Sequence, residues 1–344
     1  MKDNVFIIAE AGSNWKAGSA AQDLARAKAL IDAACSAGAD AVKFQTFRAE
    51  TVYVANAGSS DYLSKNGIRR PIQDIFKEMA MPYAMLPKLA AYCRKKKIEF
   101  MSSFFSAEDF KAVDPHVRRH KIASYEISHP GLLALAATSK KSLILSTGAS
   151  TLEDIDWAVN TFRKKGGRRL MLMQCTAKYP APLSALNLNA MVELKNRYKV
   201  SVGLSDHSAH AIVPAVAAVA LGAEAVEKHF TLNRKLKGPD HAFAIEPKEL
   251  EAMVRAIRNC QEALGDGKKR VLPEEKELRD YAQRAVQAVR RISKGDVFAE
   301  GKNIAVLRPG KQLKGLHPQF LGRIEGARAK RDIPPGRGIL AKDF

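Results

Sequence analysis

The sequence predicts an α/β fold, a (β/α)8 TIM barrel followed by a small, mostly β domain. Three observations support this prediction: short apolar runs alternate with longer amphipathic stretches, eight such units occupy about 265 residues, and the composition changes beyond them. Parallel strands produce this alternation because each is joined to the next by a covering helix. An open doubly wound sheet is the alternative, but it usually contains fewer units.

Eight strands are expected along the first part of the chain. They are residues 5–11, 41–45, 99–104, 120–126, 142–148, 169–175, 199–207 and 225–232. The helical stretch after the fifth strand begins at an N-cap, Ser150 or Thr151, carries acidic residues in its first turn and ends at glycine. No Gly-x-Gly-x-x-Gly motif follows the first strand, so nothing in the sequence favours a dinucleotide site.

Two segments interrupt this regular pattern. Residues 48–85 form a long connection after the second strand, and connections of this length are usually functional lids or disordered inserts. Residues 266–282 are polar and charged, which predicts a linker with a helix. We therefore expect a barrel domain at 1–265, this linker, and a small β domain at 283–344.

The net charge of +20 is compatible with nucleic acid, anionic surfaces or anionic substrates as partners. The basic residues are spread along the chain, and no nucleic-acid-binding motif accompanies them, so a solvated basic surface is the simplest interpretation. No apolar run approaches the ~20 residues of a membrane span, and the N-terminal residues do not resemble a signal peptide. The four cysteines lack metal-ligand spacing. We expect a cytoplasmic protein without membrane or nucleic-acid partners.

Polar residues occur at the end of every predicted strand, where a barrel of this type builds its active site. They are Glu10 and Asn14; Lys43 and Gln45; Ser102 and Ser103; Lys121, Ser124 and Glu126; Ser146 and Thr147; Gln174, Thr176 and Tyr179; Ser205, Asp206 and His207; Glu227 and His229. Each alone is explained by a rim charge, a cap or a buried histidine. Their recurrence on eight strands favours a functional site.

Two lysines are predicted to lie on barrel strands, Lys43 and Lys121. Buried ammonium groups are costly unless anions meet them. Together with several hydroxyl groups at the same barrel mouth, they predict a site for a phosphate or a carboxylate.

Two histidines follow successive strands at matching ends, His207 and His229. Their imidazoles are placed to share one divalent ion, with water and substrate completing the coordination, as in a Lewis-acid site. Two hydrogen-bonded histidines without a metal are the alternative interpretation.

The blocks that carry these residues resemble those of the sialic acid (N-acetylneuraminate) synthase family. The resemblance covers essentially the whole chain through the stretches FIIAEAGSN, GADAVKFQTF, HKIASYE, ILSTGAST, QCTAKYP, VGLSDHS and EKHFTLNRKLKGPDHAF. The C-terminal stretches GDVFAEGKNI, RPG and RDIPPGRGI resemble that family's antifreeze-like (SAF) domain.

The resemblance implies a reaction between phosphoenolpyruvate and an amino-sugar aldehyde, N-acetylmannosamine or a relative. The products are a nine-carbon 2-keto-3-deoxy acid and phosphate, with water addition and C–O cleavage. It also implies Mn²⁺ or Mg²⁺ on His207 and His229, which polarises the aldehyde. A domain-swapped homodimer is implied as well, in which Arg308 of the small domain reaches the acyl group of the sugar bound by the other subunit.

The resemblance further implies roles for individual residues. The phosphoenolpyruvate carboxylate and phosphate are held by Lys43, Ser103, Lys121, Ser124, Ser146 and Ser205. The sugar is bound and oriented by Glu10, Gln45, Tyr179 and Asp240, with Asn14 also at the substrate. Glu126 is the candidate to take a proton from the attacking water. The residues expected to act in catalysis are Glu10, Lys43, Lys121, Glu126 and Asp240.

The chain departs from the usual family pattern at several positions. Trp15 and Lys16 follow Asn14 where the family generally has His and one further residue before Gly, and Ala177 replaces a common Asn or Ser. Trp15 is placed either to stack on a sugar or to pack in its loop. The sugar stays open: a mannosamine derivative, its 6-phosphate, or a precursor of legionaminic or pseudaminic acid.

Two other functions are compatible with parts of the sequence. A keto-deoxy-octulosonate type synthase uses the same phosphoenolpyruvate chemistry, but such enzymes lack a module like residues 283–344. A basic protein that binds nucleic acid or another polyanion is the non-enzymatic alternative; lysines on barrel strands argue for an internal anion site instead.

Overall fold

The computed structural model describes residues 4–59 and 69–344, which form two compact units, residues 1–265 and 266–344. Within the described part of the first unit, eight parallel strands close into a barrel in chain order, as predicted. They are β1 Phe6–Gly12, β2 Ala41–Thr46, β3 Glu99–Phe104, β4 Arg119–Ile122, β5 Ser142–Ser146, β6 Leu170–Cys175, β7 Ser201–Asp206 and β8 Ala225–His229.

Helices connect these strands. The described ones are α1 Ala20–Ser36, α2 Ala49–Val52, α3 Ile72–Met79, α4 Leu86–Lys96, α5 Ala107–Val113, α6 Pro130–Thr138, α7 Leu152–Lys164, α8 Asn189–Tyr198, α9 Val213–Ala220 and α10 Pro247–Leu264. The N-cap of α7 is Thr151, whose hydroxyl accepts from the Asp154 N–H while the Asp154 carboxylate accepts from the Thr151 N–H. Between the two predicted caps, the reciprocal pair therefore selects Thr151.

Strand alternation separates two apolar layers. Side chains such as Ile7 and Val42 pack outward against the helices, whereas Ile8, Met101 and Met173 fill the barrel interior. A Cβ atom on Gly203 would lie only 2.6 Å from the carbonyl oxygen of Ala225, so the close approach of β7 to β8 requires glycine. The lower half of the barrel is consequently packed solid, which leaves its polar upper half for the site.

The strands agree closely with the predicted ones, with one consequential difference at the fourth. β4 ends at Ile122, and Ser124–Glu126 form a 3₁₀ turn instead of the predicted strand end. Residues 147–148 and 230–232 likewise lie beyond the ends of β5 and β8. The long connection at 48–85 contains α2 and α3 in its described part, and its residues 60–68 lie outside the described residues.

The second unit contains the helices α11 Lys276–Ala282 and α12 Leu321–Ile324 and the antiparallel strands β9 Ala285–Ala288 and β10 Ile304–Leu307. Isolated bridges extend the pairing of β9 and join further extended segments. A separate core is formed by Val286, Ile292, Phe298, Ile304, Ile324, Ala329, Ile333 and Ile339 with neighbouring apolar residues. In neither unit does a described helix have the length and apolarity needed to cross a membrane.

Candidate active site

A cavity opens where the inward-facing positions of the barrel become polar. Its lining residues are Glu10, Lys43, Gln45, Ser103, Lys121, Ala123, Ser124, Tyr125, Ser146, Tyr179, Ser205, His207, Glu227 and His229. The space between these side chains is about 390 Å³ when its open mouth is included. Most of the predicted site residues therefore meet at one place.

Four ionisable side chains form a buried cluster at the floor of this cavity. Lys43 Nζ lies 2.7 Å from Glu10 Oε2 and 3.5 Å from Glu227 Oε1. Lys121 Nζ lies 3.7 Å from the same Glu227 oxygen. All four side chains are at most 5% exposed, so solvent screens these interactions little.

The surroundings shift the pKa values of this cluster in opposite directions. Burial raises the pKa of Glu10, although Lys43 opposes the shift. For Glu227, burial acts upward, but Lys121 and Lys43 outweigh it and lower the pKa. Burial lowers the pKa of Lys121, whereas Glu10 and Glu227 overcome burial and raise the pKa of Lys43. Glu227 is thus the side chain that stays ionised, and Glu10 is the carboxyl group that is more easily protonated.

Serine hydroxyls surround the two ammonium groups. Lys43 Nζ donates to Ser103 Oγ at 3.2 Å, and Lys121 Nζ donates to Ser146 Oγ at 2.8 Å. Ser124 Oγ accepts from the Gly148 N–H at 2.9 Å, and Ser205 donates weakly to Glu227 at 3.4 Å. Each hydroxyl has rotational freedom to turn toward an oxyanion, so the cavity offers both charge and donors.

The two histidines lie side by side at the barrel mouth, with ring centroids 5.4 Å apart. Burial, and then the neighbouring His229, lowers the pKa of His207 to about 3. Burial also lowers the pKa of His229 to about 4. His207 Nδ1 lies 2.9 Å from the carbonyl oxygen of Thr176, which only accepts, so this nitrogen carries the proton and Nε2 keeps its lone pair.

These imidazoles fit a divalent ion. Both are neutral at physiological pH, and a histidine that binds metal usually donates its other N–H to a carbonyl or carboxylate, as His207 does to Thr176. His229 Nδ1 is buried and makes no hydrogen bond to a described residue. No group of three or more His, Cys, Asp or Glu side chains among the described residues is arranged as a metal site, so water or substrate would complete the coordination.

Aromatic rings form one side of the cavity next to the histidines. The Tyr179 ring lies 4.2 Å from that of His207 and 5.1 Å from that of Phe243, between centroids. Phe243 also contacts the His229 ring at 5.0 Å. This packing fixes both imidazole planes and presents an apolar surface beside the charged floor.

Glu126 is adjacent to the cavity but is not one of its lining residues. It closes the 3₁₀ turn Ser124–Glu126, whose first two residues do line the cavity. Its Oε2 is buried without a hydrogen-bond partner, and burial raises the pKa of the carboxyl to about 7 despite the nearby charge of Lys121. A carboxyl with this pKa is suited to accept a proton near neutral pH.

Replacement of Glu126 by Gln is expected to remove a pH-dependent step. If the carboxylate accepts a proton during turnover, kcat of the parent rises as pH increases through about 7. The variant should be nearly inactive, and its kcat should not show this rise. A pH profile of kcat between pH 5.5 and 9 measures this. An unchanged rising limb in the variant would assign the proton transfer to another group.

The same substitution has an opposite effect on stability. Because the folded-state pKa of Glu126 is raised, the folded protein binds more protons than the unfolded chain, and the carboxyl costs stability as pH rises from about 4.5 to 7. Above pH 7 the Gln variant should be more stable by up to about 3 kcal/mol, and below pH 4.5 the difference should vanish. Urea unfolding at pH 5 and 8 compares the two.

Two predicted substrate residues also lie outside the lining of the cavity. The Asp240 carboxylate accepts hydrogen bonds from the Ser13 N–H at 3.2 Å and the Ser13 hydroxyl at 3.0 Å. Asn14 donates to the carbonyl oxygen of Phe230 at 2.9 Å. These bonds join the loop after β1 to the segment after β8, so both residues stabilise the rim next to Glu10 and His229.

Two further positions named from the sequence, Trp15 and Arg308, are not among the lining residues of the cavity. Trp15 is 1% exposed, so its ring packs in its loop and is not open for stacking on a sugar. Arg308 is exposed and directly follows β10 in the second unit. Its predicted role therefore stays a prediction.

Sequence reasoning missed Tyr125 as a lining residue, and it did not predict that Glu227 directly contacts both lysines. The sequence placed Glu227 only among the polar residues at the end of the eighth strand. Tyr125 is 63% exposed at the cavity mouth, on the turn that the strand prediction had extended through. A tyrosine in a turn after a barrel strand was the available signal.

A closed barrel with a buried, charged cavity at its carboxyl strand ends has the arrangement in which TIM-barrel enzymes build their active sites. Residues 30–269 match the NeuB family and residues 283–344 match the SAF domain family, so the chain belongs to the NeuB family and ends in a SAF domain. The resemblance stated from the sequence is thereby confirmed. The family includes sialic, pseudaminic and legionaminic acid synthases, and this chain is an enzyme of the synthase type.

Several relatives span almost the whole chain. Spore coat polysaccharide biosynthesis protein SpsE of Bacillus subtilis is 40% identical over 99% of this chain and 93% of its own length. Its crystal structure matches 100% of this chain and 96% of its own with a TM-score of 0.65. Pseudaminic acid synthase and N,N'-diacetyllegionaminic acid synthase of Campylobacter jejuni are each 36% identical, over 99% and 95% of this chain and 96% and 97% of their own lengths.

Proposed function

We propose that this enzyme condenses phosphoenolpyruvate with the open-chain aldehyde of an amino sugar, giving a nine-carbon 2-keto-3-deoxy acid and phosphate. The observation that carries the proposal is the pair of buried ammonium groups, Lys43 and Lys121, among four serine hydroxyls in one small cavity. Phosphoenolpyruvate is compact and multiply charged, so its binding site requires several cations and hydrogen-bond donors close together.

The two lysines divide the substrate between them in this proposal. Lys121 and Ser146 form one donor pair, and Lys43 and Ser103 form another, so one pair is available for the carboxylate and one for the phosphate. Glu227 neutralises part of this charge before substrate arrives. Glu10, with its raised pKa, is the carboxyl that can take up a proton as the anion enters.

The bond changes follow from the substrate chemistry. The enol carbon attacks the aldehyde carbon and forms the new C–C bond as the carbonyl π bond opens to an alkoxide, while positive charge develops at C2 of the enolpyruvyl group. The two protons of the water that adds next balance this alkoxide and the departing phosphate. Water adds to C2 and passes a proton to Glu126, and the resulting tetrahedral intermediate releases phosphate by C–O cleavage. A divalent ion on His207 and His229 would polarise the aldehyde carbonyl. Gln45, which donates to Glu10 at 2.8 Å, borders the place where the sugar would bind.

Phosphate release tests this function directly. Purified protein with phosphoenolpyruvate should release phosphate only when a divalent metal and a suitable aldehyde are both present. In H₂¹⁸O the released phosphate should contain no ¹⁸O, because the C–O bond breaks and not the P–O bond. No release with N-acetylmannosamine, its 6-phosphate or diacetamido hexoses would contradict the proposal.

The sugar is an amino-sugar aldehyde of the mannosamine type, and the relatives argue for including diacetamido hexoses in the screen. The two Campylobacter relatives are named for pseudaminic acid and N,N'-diacetyllegionaminic acid, at equal identity to this chain. Imidazole nitrogens also favour Mn²⁺ over Mg²⁺, which prefers oxygen ligands. The screen should therefore be run with Mn²⁺ first.

We further propose that the enzyme is a homodimer that exchanges its second units, so that Arg308 serves the partner's barrel. An Arg308→Ala variant should mainly raise KM for the sugar. At a sugar concentration well below the KM of this variant, co-expression with a variant inactive in the barrel, His229→Ala, should restore about one quarter of the parent activity, because half the dimers are mixed and each has one complete site. No restoration in mixed dimers would contradict the exchange.

A further inference from the structure

A second buried ion pair lies on the outer face of the barrel, between the strands and the helices. Lys228 Nζ lies 2.7 Å from Asp206 Oδ2, and the two side chains are 1% and 0% exposed. Their Cα atoms are direct partners in the pairing of β7 with β8. The pair therefore connects two adjacent strands at their carboxyl ends.

The ammonium group is surrounded by acceptors from a single segment. Besides Asp206, Lys228 donates to the carbonyl oxygens of Ser208 at 2.5 Å and His210 at 3.0 Å. The Asp206 carboxylate in turn accepts from the Ser208 N–H at 2.8 Å. Residues 206–210 thus coil around one buried cation, whose three protons all have acceptors.

This segment contains His207, and Lys228 directly precedes His229. Because strand side chains alternate, Asp206 and Lys228 point outward while His207 and His229 line the cavity. On its other side His207 is held by the β6 connection, through Nδ1 to the Thr176 carbonyl and through its own carbonyl, which accepts from the Ala181 N–H at 2.9 Å. The hydrogen bonds of the Lys228 side chain connect the His207 segment to the strand that carries His229.

We propose that Lys228, paired with Asp206, is a positioning residue that fixes the spacing of His207 and His229 for a divalent ion. This inference rests on the proposed metal site. The ion pair is buried and fully hydrogen-bonded. Such pairs are costly to desolvate, and their replacement by apolar residues of similar size is often neutral or stabilising. Its contribution is the conformation of residues 206–210, which a buried cation with three directed donors determines and an apolar side chain does not.

Mn²⁺ binding to the metal-free full-length protein tests the inference without turnover. Electron paramagnetic resonance of free Mn²⁺ gives the Kd of the parent, of Lys228→Met and of the double variant Lys228→Met/Asp206→Asn. We expect Kd to rise roughly 10–100-fold in both variants, the usual effect of removing a group that orients metal ligands. Urea unfolding should show a large loss of stability in Lys228→Met, which leaves Asp206 unpaired, and a partial recovery in the double variant.

The double variant separates the effect on positioning from the effect on stability. Because it carries no unpaired charge, it keeps the test available if Lys228→Met does not fold. An Mn²⁺ Kd that recovers together with its stability would overturn the inference. Arg258→Met is the control, since Arg258 pairs with Asp40 at 2.8 Å at the opposite end of the strands, where the side chains are 28% and 34% exposed, and it should keep the parent Kd. An equal loss of Mn²⁺ affinity in this control would also overturn the inference.

The parent and His229→Ala proteins test the metal site itself. If the parent binds no Mn²⁺, or if His229→Ala binds it as tightly as the parent, the metal site is wrong and the inference falls with it. If His229→Ala loses Mn²⁺ while Lys228→Met and the double variant retain it, only the role of Lys228 is wrong.

Discussion

Replacement of Lys121 by Met is expected to lower kcat/KM for phosphoenolpyruvate by a factor of about 10²–10³. The Lys121 ammonium is 2% exposed and donates to Ser146 at 2.8 Å, so its charge acts on a bound anion with little screening. Loss of one charge-assisted contact in such a site costs about 3–4 kcal/mol, which corresponds to that factor. Steady-state phosphate release at subsaturating phosphoenolpyruvate measures it.

The variant also changes the charge balance of the unliganded site. Without Lys121, the carboxylates Glu10 and Glu227 share Lys43 alone, and the free energy of unfolding should decrease by about 3–5 kcal/mol, as for other broken buried pairs. Lys141→Met is a suitable control, because Lys141 pairs with Asp114 at 2.8 Å where it is partly exposed, before the start of β5. That variant should retain the parent kcat/KM. A folded Lys121→Met protein within threefold of the parent would exclude Lys121 as an anion-binding residue.

The sequence was sufficient to predict the interior of the site wherever the backbone is a regular strand. Lys43, Ser103, Ser146 and Ser205 are inward positions on strands whose bounds were predicted nearly correctly, and period-two alternation then determines which way each points. The same alternation directs Glu227 into the cavity and Lys228 away from it, toward Asp206. Binary patterning thus carries most of the information about which residues share the cavity.

The sequence was insufficient where the chain leaves the strands. β4 ends at Ile122, four residues earlier than predicted, and the 3₁₀ turn Ser124–Glu126 follows, so Ser124 and Tyr125 line the cavity and Glu126 does not. Asp240 depends on a long segment after β8 whose path is set by its bonds to Ser13. Such contacts join residues more than 200 positions apart, and no local pattern encodes them.

The sequence also could not predict which side chains on different strands contact one another. The pairing of Lys228 with Asp206 follows from the register of β7 against β8, which the shear of the closed barrel fixes. The contact of Lys121 with Glu227 likewise crosses the barrel between strands that are not neighbours. The closure of the barrel brings these charged side chains together, and the local secondary-structure propensities of the sequence do not encode this contact.

Replacement of His229 by Ala is expected to reduce metal-dependent turnover by a factor on the order of 10³ or more and to abolish tight Mn²⁺ binding, because His207 alone is a weak ligand. The fold should survive, since His229 Nδ1 makes no hydrogen bond to a described residue and its removal leaves no partner unsatisfied there. Lost packing against Phe243 should cost about 1–3 kcal/mol of unfolding free energy.

A second buried histidine provides the matched control for this result. His120 is 0% exposed on the outer face of β4, where its ring packs 5.4 Å from that of Phe104 and 5.0 Å from that of Phe110. His120→Ala should lose at least as much stability as His229→Ala but keep the parent Mn²⁺ affinity, because it removes core packing far from both proposed ligands. Near-normal, metal-dependent turnover in His229→Ala would show that the ion, if required, is bound elsewhere. Loss of Mn²⁺ affinity in both variants would instead indicate that general loosening of the barrel, and not the His229 ligand, weakens binding.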